Sequence, residues 1–212
     1  TLDHVSHGRM VLGLGAGWQI NEHTAYGIAL EAPKQRVDRF EEAIQIIRLL
    51  LDEDHTTFDG AIYSISNAPS DPSPVQDHLP ILVGTSGPRM CRITALHAQE
   101  WNTWGAPEMA AGAVTTFNTA CEKVGVDPAS KHTSVQALFI LTEDQATIDK
   151  ALAGPMGPRT VAGSVERIMD AVGEYAELGF DEVIVPDFAL GTSTEQRFDA
   201  YERIAAEVVP NC

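Results

Sequence analysis

From Pro33 onward the apolar residues Val37, Phe40, Ile44, Ile47 and Leu51 recur at steps of three and four, which places them on one face of a helix. Pro33 suits the first turn, and Arg36, Asp38, Arg39, Glu41 and Glu42 supply the wet face. Its acidic end, Asp52-Glu53-Asp54, opposes the helix dipole and predicts fraying there. Upstream, Arg9-Met10-Val11-Leu12-Gly13-Leu14-Gly15 is an apolar run ending in glycines, the pattern of a buried strand feeding a tight turn. Downstream, Thr56-Thr57-Phe58 and Ile62-Tyr63-Ser64-Ile65 flank Asp59-Gly60-Ala61 and predict a hairpin. The stretch Asn67 to Pro74 holds three prolines and reads as a loop.

The remainder alternates. Leu79 to Gly84 predicts a strand, Pro88 to Ala98 a helix and Trp101 to Trp104 a short strand. Pro107 to Val124 predicts a helix closed by Gly125, Ser134 to Leu141 a strand and Glu143 to Ala153 a helix. A loop from Gly154 leads to Ser164, which caps a helix with Val165, Ile168, Met169, Val172, Tyr175 and Ala176 on its inner face. Asp181 to Pro186 is the last strand and Thr194 to Val209 the last helix. Apolar strands alternating with amphipathic helices predict a parallel sheet covered by helices: five such strands, plus one inserted antiparallel hairpin.

The 212 residues suffice for one domain that buries roughly 70% of the surface its unfolded chain exposes. With 30 acidic against 14 basic residues the formal net charge is −16, so nucleic acid and anionic lipid are poor partners. Cys91, Cys121 and Cys212 are widely spaced and form no CxxC pair, and the seven histidines are scattered; His4 and His7 flank a turn with no cysteine near. Neither a disulfide framework nor a metal site is expected. The apolar run Ile44 to Leu51 is broken by Gln45 and Arg48, so it cannot span a bilayer, and a reducing, cytoplasmic location is expected. The chain opens at Thr1, and Thr1 to Val5 reads like the tail of a helix already in progress, as in a processed product or the C-terminal part of a longer protein.

Two glycine-rich turns stand at strand ends, where α/β proteins place their sites. In Gly13-Leu14-Gly15-Ala16-Gly17-Trp18, Trp18 occupies the place of the last glycine of a dinucleotide fingerprint, so that reading fails. The sequel Gln19-Ile20-Asn21-Glu22-His23 suits a planar polar ligand, although a strained turn that binds nothing would look the same. Gly84-Thr85-Ser86-Gly87-Pro88-Arg89 combines glycine-freed backbone N–H groups, two hydroxyls, a helix start and an arginine, which together make an anion cradle suited to phosphate. The alternative is plain capping by Ser86. A third strand mouth, Glu100 to Gly105, offers Asn102 as a ligand candidate, while its two tryptophans fit core or lid. Asp187 could be catalytic or could cap Thr192 or Thr194.

Taken in order, Gly13 to Trp18, Asn21-Glu22-His23, Tyr26-Gly27-Ile28, Arg36 to Ala43, Phe58-Asp59-Gly60 with Tyr63, Pro74-Val75-Gln76, Ile81 to Pro88, Glu100-Trp101-Asn102 and Gly179 to Val185 resemble the bacterial luciferase-like oxidoreductases, closest to the branch that uses the deazaflavin coenzyme F420. Sister branches use flavin mononucleotide (FMN). The resemblance implies a (β/α)8 TIM barrel of which residues 1–212, as a single domain, supply the C-terminal portion, about the last five β/α units. A chain with only these strands would leave sheet edges in need of a partner. It further implies a cofactor phosphate on Gly84, Thr85, Ser86 and Gly87 with Arg89 nearby. Gly15, Ala16, Gly17 and Asn21 would lie against the ring, and Trp18 and Asn102 are further cofactor-binding candidates. In the sugar-phosphate dehydrogenase branch a proton-donating glutamate stands at the position of Trp18, which leaves Glu22 and His23 as acid–base candidates. The implied activity is hydride transfer between reduced deazaflavin and a small organic substrate, with an FMN-dependent monooxygenase as the alternative in the same class. A truncated, non-catalytic cofactor-binding or oligomerisation module is the alternative of another class. The family often pairs barrels, so a homodimer is expected.

Overall fold

The computed structural model describes residues 1–211; Cys212 lies outside the described residues. A short helix α1 (Leu2–Ser6) leads into β1 (Leu12–Leu14), followed by α2 (Ile20–Ala25) and the long α3 (Pro33–Asp52). The hairpin β2 (His55–Asp59) and β3 (Ser64–Pro69) comes next, then β4 (Ile81–Gly84), α4 (Pro88–His97), β5 (Glu100–Trp104) and α5 (Pro107–Val124). β6 (His132–Gln136), β7 (Leu138–Leu141), α6 (Gln145–Ala153), β8 (Thr160–Gly163), α7 (Val165–Glu177), β9 (Glu182–Ile184) and α8 (Thr194–Arg203) complete the order. Among the described residues five strands pair in parallel, in the order β1-β4-β5-β6-β9, as the alternation of apolar strands and amphipathic helices predicts.

The register assigns each face of this sheet a different chemistry. Gly13, Leu82, Glu100 and His132 form one row; Gly84, Asn102, Ser134 and Glu182 form the next; Trp104, Gln136 and Ile184 form the third. The residues between them point the other way, because successive side chains alternate. They build two apolar clusters with the helices. One joins Phe40 and Ile44 of α3 to Ile81, Val83 and Ile93; the other stacks Trp101 on Phe117 (4.3 Å, 3°) beside Val135, Ile168 and Tyr175. Helices therefore pack on the apolar face, while the rows of glycine and polar residues stay partly open. That is the wall of a barrel rather than a doubly wound sheet.

Five expectations differ from the structure. The strand expected over Ser134 to Leu141 is two strands: Ala137 is the break, after which β7 leaves the main sheet and pairs in parallel with β8. β8, only four residues in a stretch read as loop, is fully buried and has no alternation to betray it. The hairpin strands run longer and their turn is wider, because the Glu42 carboxylate accepts the backbone N–H groups of Ala61, Ile62 and Tyr63 and draws them out of the ladder. Its second strand also reaches Pro69, opposite His55, so the loop starts later than Asn67. Finally, the last helix loses regular α geometry at Ile204 and continues as a π turn through Val208.

Candidate functional site

The three strand ends singled out by sequence meet at the C-terminal edge of the sheet. At the first, Gly13 and Gly15 face the open side, and a Cβ on either would meet nothing within 4 Å among the described residues. Beyond them the chain turns at Gly17 (φ +76°), where an added Cβ would lie 3.2 Å from His23 Nε2. The Arg36 guanidinium donates to the Gly17 carbonyl, and His23 Nδ1 lies 3.3 Å from the Ile28 carbonyl oxygen. His23 is thus packed inside the loop it was expected to serve as an acid–base group. Trp18, Asn21 and Glu22 remain exposed, Trp18 by 75%. Beside them Gly15, Ala16, His23, Arg36, Phe40 and Tyr63 line a cavity of about 420 Å³.

The turn after β4 is held from below by β5. Thr85 N–H donates to the Asn102 carbonyl (2.9 Å), and the Trp101 indole N–H donates to the Thr85 carbonyl (2.8 Å). Gly87 N–H donates to the Thr85 hydroxyl at 3.3 Å. Plain capping by Ser86 is not what the structure has: Gly87 is the N-cap of α4, and among the described residues no side chain caps that end. The first-turn N–H groups therefore have no side-chain partner among the described residues. A Cβ on Gly87 would meet nothing within 4 Å. Arg89 departs from the expected cradle. Its guanidinium bridges Asp38 (2.6 Å) and Glu41 (2.9 Å) on α3, and Arg92 also reaches Glu41. With two carboxylates so close, Arg89 is committed to joining α3 and α4, and the polar groups left at the turn are backbone N–H groups and hydroxyls.

Asn102 is buried (8% exposed), and its Nδ2 donates to Ser134 Oγ (2.9 Å) and to the Ser134 carbonyl (3.3 Å). Its Oδ1 lies 3.7 Å from the Cβ position of Gly84, so the amide oxygen fronts the turn after β4. Below this row, burial pushes the Glu100 carboxyl up, opposed by His132 and reinforced by Glu182. Above it, Trp104 stacks on Phe188 (6.2 Å) with Arg159 over its ring (5.6 Å). The two tryptophans divide: Trp101 is core and Trp104 lines the mouth, as an odd spacing on a strand requires. Asp187 pairs with Arg197 at 3.2 Å rather than capping a threonine. Sequence reading did not single out Ser134 or Arg159, and it gave Trp104 only as core or lid. Ser134 and Gln136 carried a signal, as the polar alternate positions of an otherwise apolar strand.

Among the described residues no group of three or more His, Cys, Asp or Glu side chains is placed so that it could hold a metal ion. His4 is spent on the Ser73 carbonyl at 2.7 Å. Among the same residues no helix is long and apolar enough to cross a membrane.

A family model described as luciferase-like monooxygenase matches residues 1–157. An uncharacterized protein of Mycobacterium tuberculosis is 30% identical over 210 residues, covering 98% of this chain and 62% of the relative. An F420-dependent glucose-6-phosphate dehydrogenase of Kineococcus radiotolerans is 36% identical over 88 residues, 42% of this chain and 26% of that protein. The solved coenzyme F420-dependent tetrahydromethanopterin reductase of Methanopyrus kandleri superposes with a TM-score of 0.80 at 16% identity, covering 99% of this chain and 76% of that one. That likeness places the sheet and helices in a luciferase-like TIM barrel. The chain spans 62% of the length of the mycobacterial relative.

Proposed function

The chain belongs to the luciferase-like monooxygenase family, and on that premise we propose that it is the cofactor-binding part of an oxidoreductase that moves a hydride between the deazaflavin coenzyme F420 and a small organic substrate. The observation that carries this reading is the uncapped start of α4 behind Gly84-Thr85-Ser86-Gly87, next to a wall of glycines. A phosphate needs several preorganised N–H and hydroxyl donors, and the turn has them without a competing side chain. A planar ring needs a flat wall, which Gly13, Gly15 and Gly84 offer in adjacent strands.

The bound deazaflavin would supply two-electron hydride chemistry, and the protein's share is binding, orientation and proton handling. Thr85, Ser86 and Gly87 would hold the phosphate. Asn102 would accept a hydrogen bond from a ring or side-chain donor of the ligand, because both its N–H groups already face Ser134. His23 holds the loop Gly17 to Ile28 in shape through its ring. Glu22, exposed on the same loop, is the group free to exchange a proton with substrate.

An FMN-dependent monooxygenase is the second reading, favoured by Trp18, an exposed aromatic at the position where the resemblance would put an acid. Gly87→Val tests the shared premise. It fills open space at an ordinary backbone angle (φ −79°), so folding should survive. Binding of the phosphorylated cofactor should weaken roughly tenfold or more, while a phosphate-free riboside should bind as before. Unchanged binding of the phosphorylated form would refute the assignment of the turn.

A further inference from the structure

The chain has ten arginines. Nine of them direct a guanidinium nitrogen to a protein oxygen: Arg39, Arg48, Arg89, Arg92, Arg167, Arg197 and Arg203 to carboxylates, Arg9 and Arg36 to carbonyls. Arg159 is the exception: among the described residues its guanidinium makes neither a hydrogen bond nor an ion pair. Scarcity of partners does not explain this, since acidic residues outnumber basic ones 30 to 14.

Its surroundings are specific. Arg159 is half-buried, with its guanidinium carbon 5.6 Å from the centroid of the Trp104 ring. A guanidinium lying on an aromatic face keeps the edge that carries its N–H groups free, and that fork fits carboxylate, phosphate or sulfonate oxygens in pairs. The backbone that carries it is fixed. Pro158 accepts a hydrogen bond from Ala106 N–H (3.0 Å), Arg159 N–H donates to Met156 (2.8 Å), and Thr160 at once enters β8 opposite Leu138. Trp104 belongs to the mouth row with Gln136 and Ile184, on the open face of the sheet, and Phe188 backs its ring.

Resting on the function proposed above, we infer that Arg159, seated on Trp104, receives an anionic group of the molecule that reacts with the cofactor. The class is an organic carboxylate, phosphate or sulfonate. The cofactor's own phosphate shares this chemistry, but it has a separate cradle at Gly84 to Gly87, at the end of a different strand.

The test is calorimetric titration with benzoate, phenyl phosphate and benzenesulfonate against neutral benzamide. Wild-type protein, Arg159→Gln and Arg159→Lys are compared, each checked for an unchanged melting curve. Wild type should bind at least one of the anions more tightly than benzamide. Arg159→Gln should erase that preference, a loss of roughly tenfold or more, and Arg159→Lys should keep part of it as charge without the fork. In parallel, F420 and its phosphate-free riboside are titrated into each variant. Unchanged cofactor binding assigns the anion to substrate. A loss confined to the phosphorylated form assigns the anion to the cofactor and overturns the inference. No anion preference in wild type, or one that survives Arg159→Gln together with unchanged cofactor binding, overturns the inference. Should Arg159→Gln not fold, Arg159→Lys carries the comparison. Failure of F420 and FMN to bind wild type would sink the proposed function, whereas the anion series, run on the protein alone, still reads Arg159.

Discussion

Asn102 has one amide orientation open to it. The Ser134 carbonyl can only accept, so Nδ2 must face it, and Oδ1 is turned toward Gly84. Asn102→Asp puts an acceptor opposite that carbonyl. Cofactor affinity measured across pH should therefore fall for this variant at neutral pH and recover on acidification, when a protonated carboxyl again donates to Ser134. A flat profile equal to wild type would show that the amide does not orient the ligand. Glu100, two positions earlier on the same face, makes a separate prediction. Burial raises its carboxyl above the usual glutamate value of 4.5, so its favourable contribution to stability is full below that value and is lost as pH rises through the raised one. Glu100→Gln should flatten that part of the stability–pH curve, as read by denaturant melts. An unchanged slope would place the carboxyl in water.

At the scale of elements, one carboxylate decides the shape of the inserted hairpin. Glu42 accepts three successive N–H groups from the β2–β3 turn, first among them Tyr63, and they hold its acid form well below the usual range. A lowered value means stability that is present above the ordinary glutamate range and lost as pH falls through the folded one. Glu42→Gln should lower the melting temperature at neutral pH and speed hydrogen exchange at Ala61, Ile62 and Tyr63; exchange equal to wild type would contradict the latch. This contact explains what the sequence could and could not disclose. The helix Pro33 to Asp52 was legible because its apolar residues follow one period, and Pro107 to Val124 because proline and glycine mark both ends. The hairpin turn was not, since its geometry depends on a side chain about twenty residues away. β8 was hidden for a related reason: Thr160 to Gly163 is buried on both sides, so no alternation marks it as a strand. The same limit applied to the site. Gly84 to Gly87 announced itself as a turn, but the ion pairs that take Arg89 away from it lie across a helix interface.

For the molecule as a whole, the sheet divides labour between its faces. The apolar face is locked by aromatic packing and by the Tyr175 hydroxyl, which donates to the Gly105 carbonyl at 2.7 Å beneath the mouth. Tyr175→Phe removes a buried bond and leaves that carbonyl unpaired, so stability in denaturant melts should drop by about 1–2 kcal/mol; no change would mean the bond is replaced. The open face carries the glycine wall, Asn102 and Arg159, and the central claim is that an F420-type ring and its phosphate lie against it. Fluorescence titration of the wild-type protein with F420, and separately with FMN, tests this most directly. The account predicts saturable binding of the deazaflavin in preference to the flavin, weakened by Gly87→Val. Preference for FMN would move the chemistry to the monooxygenase reading, and binding of neither would contradict the account.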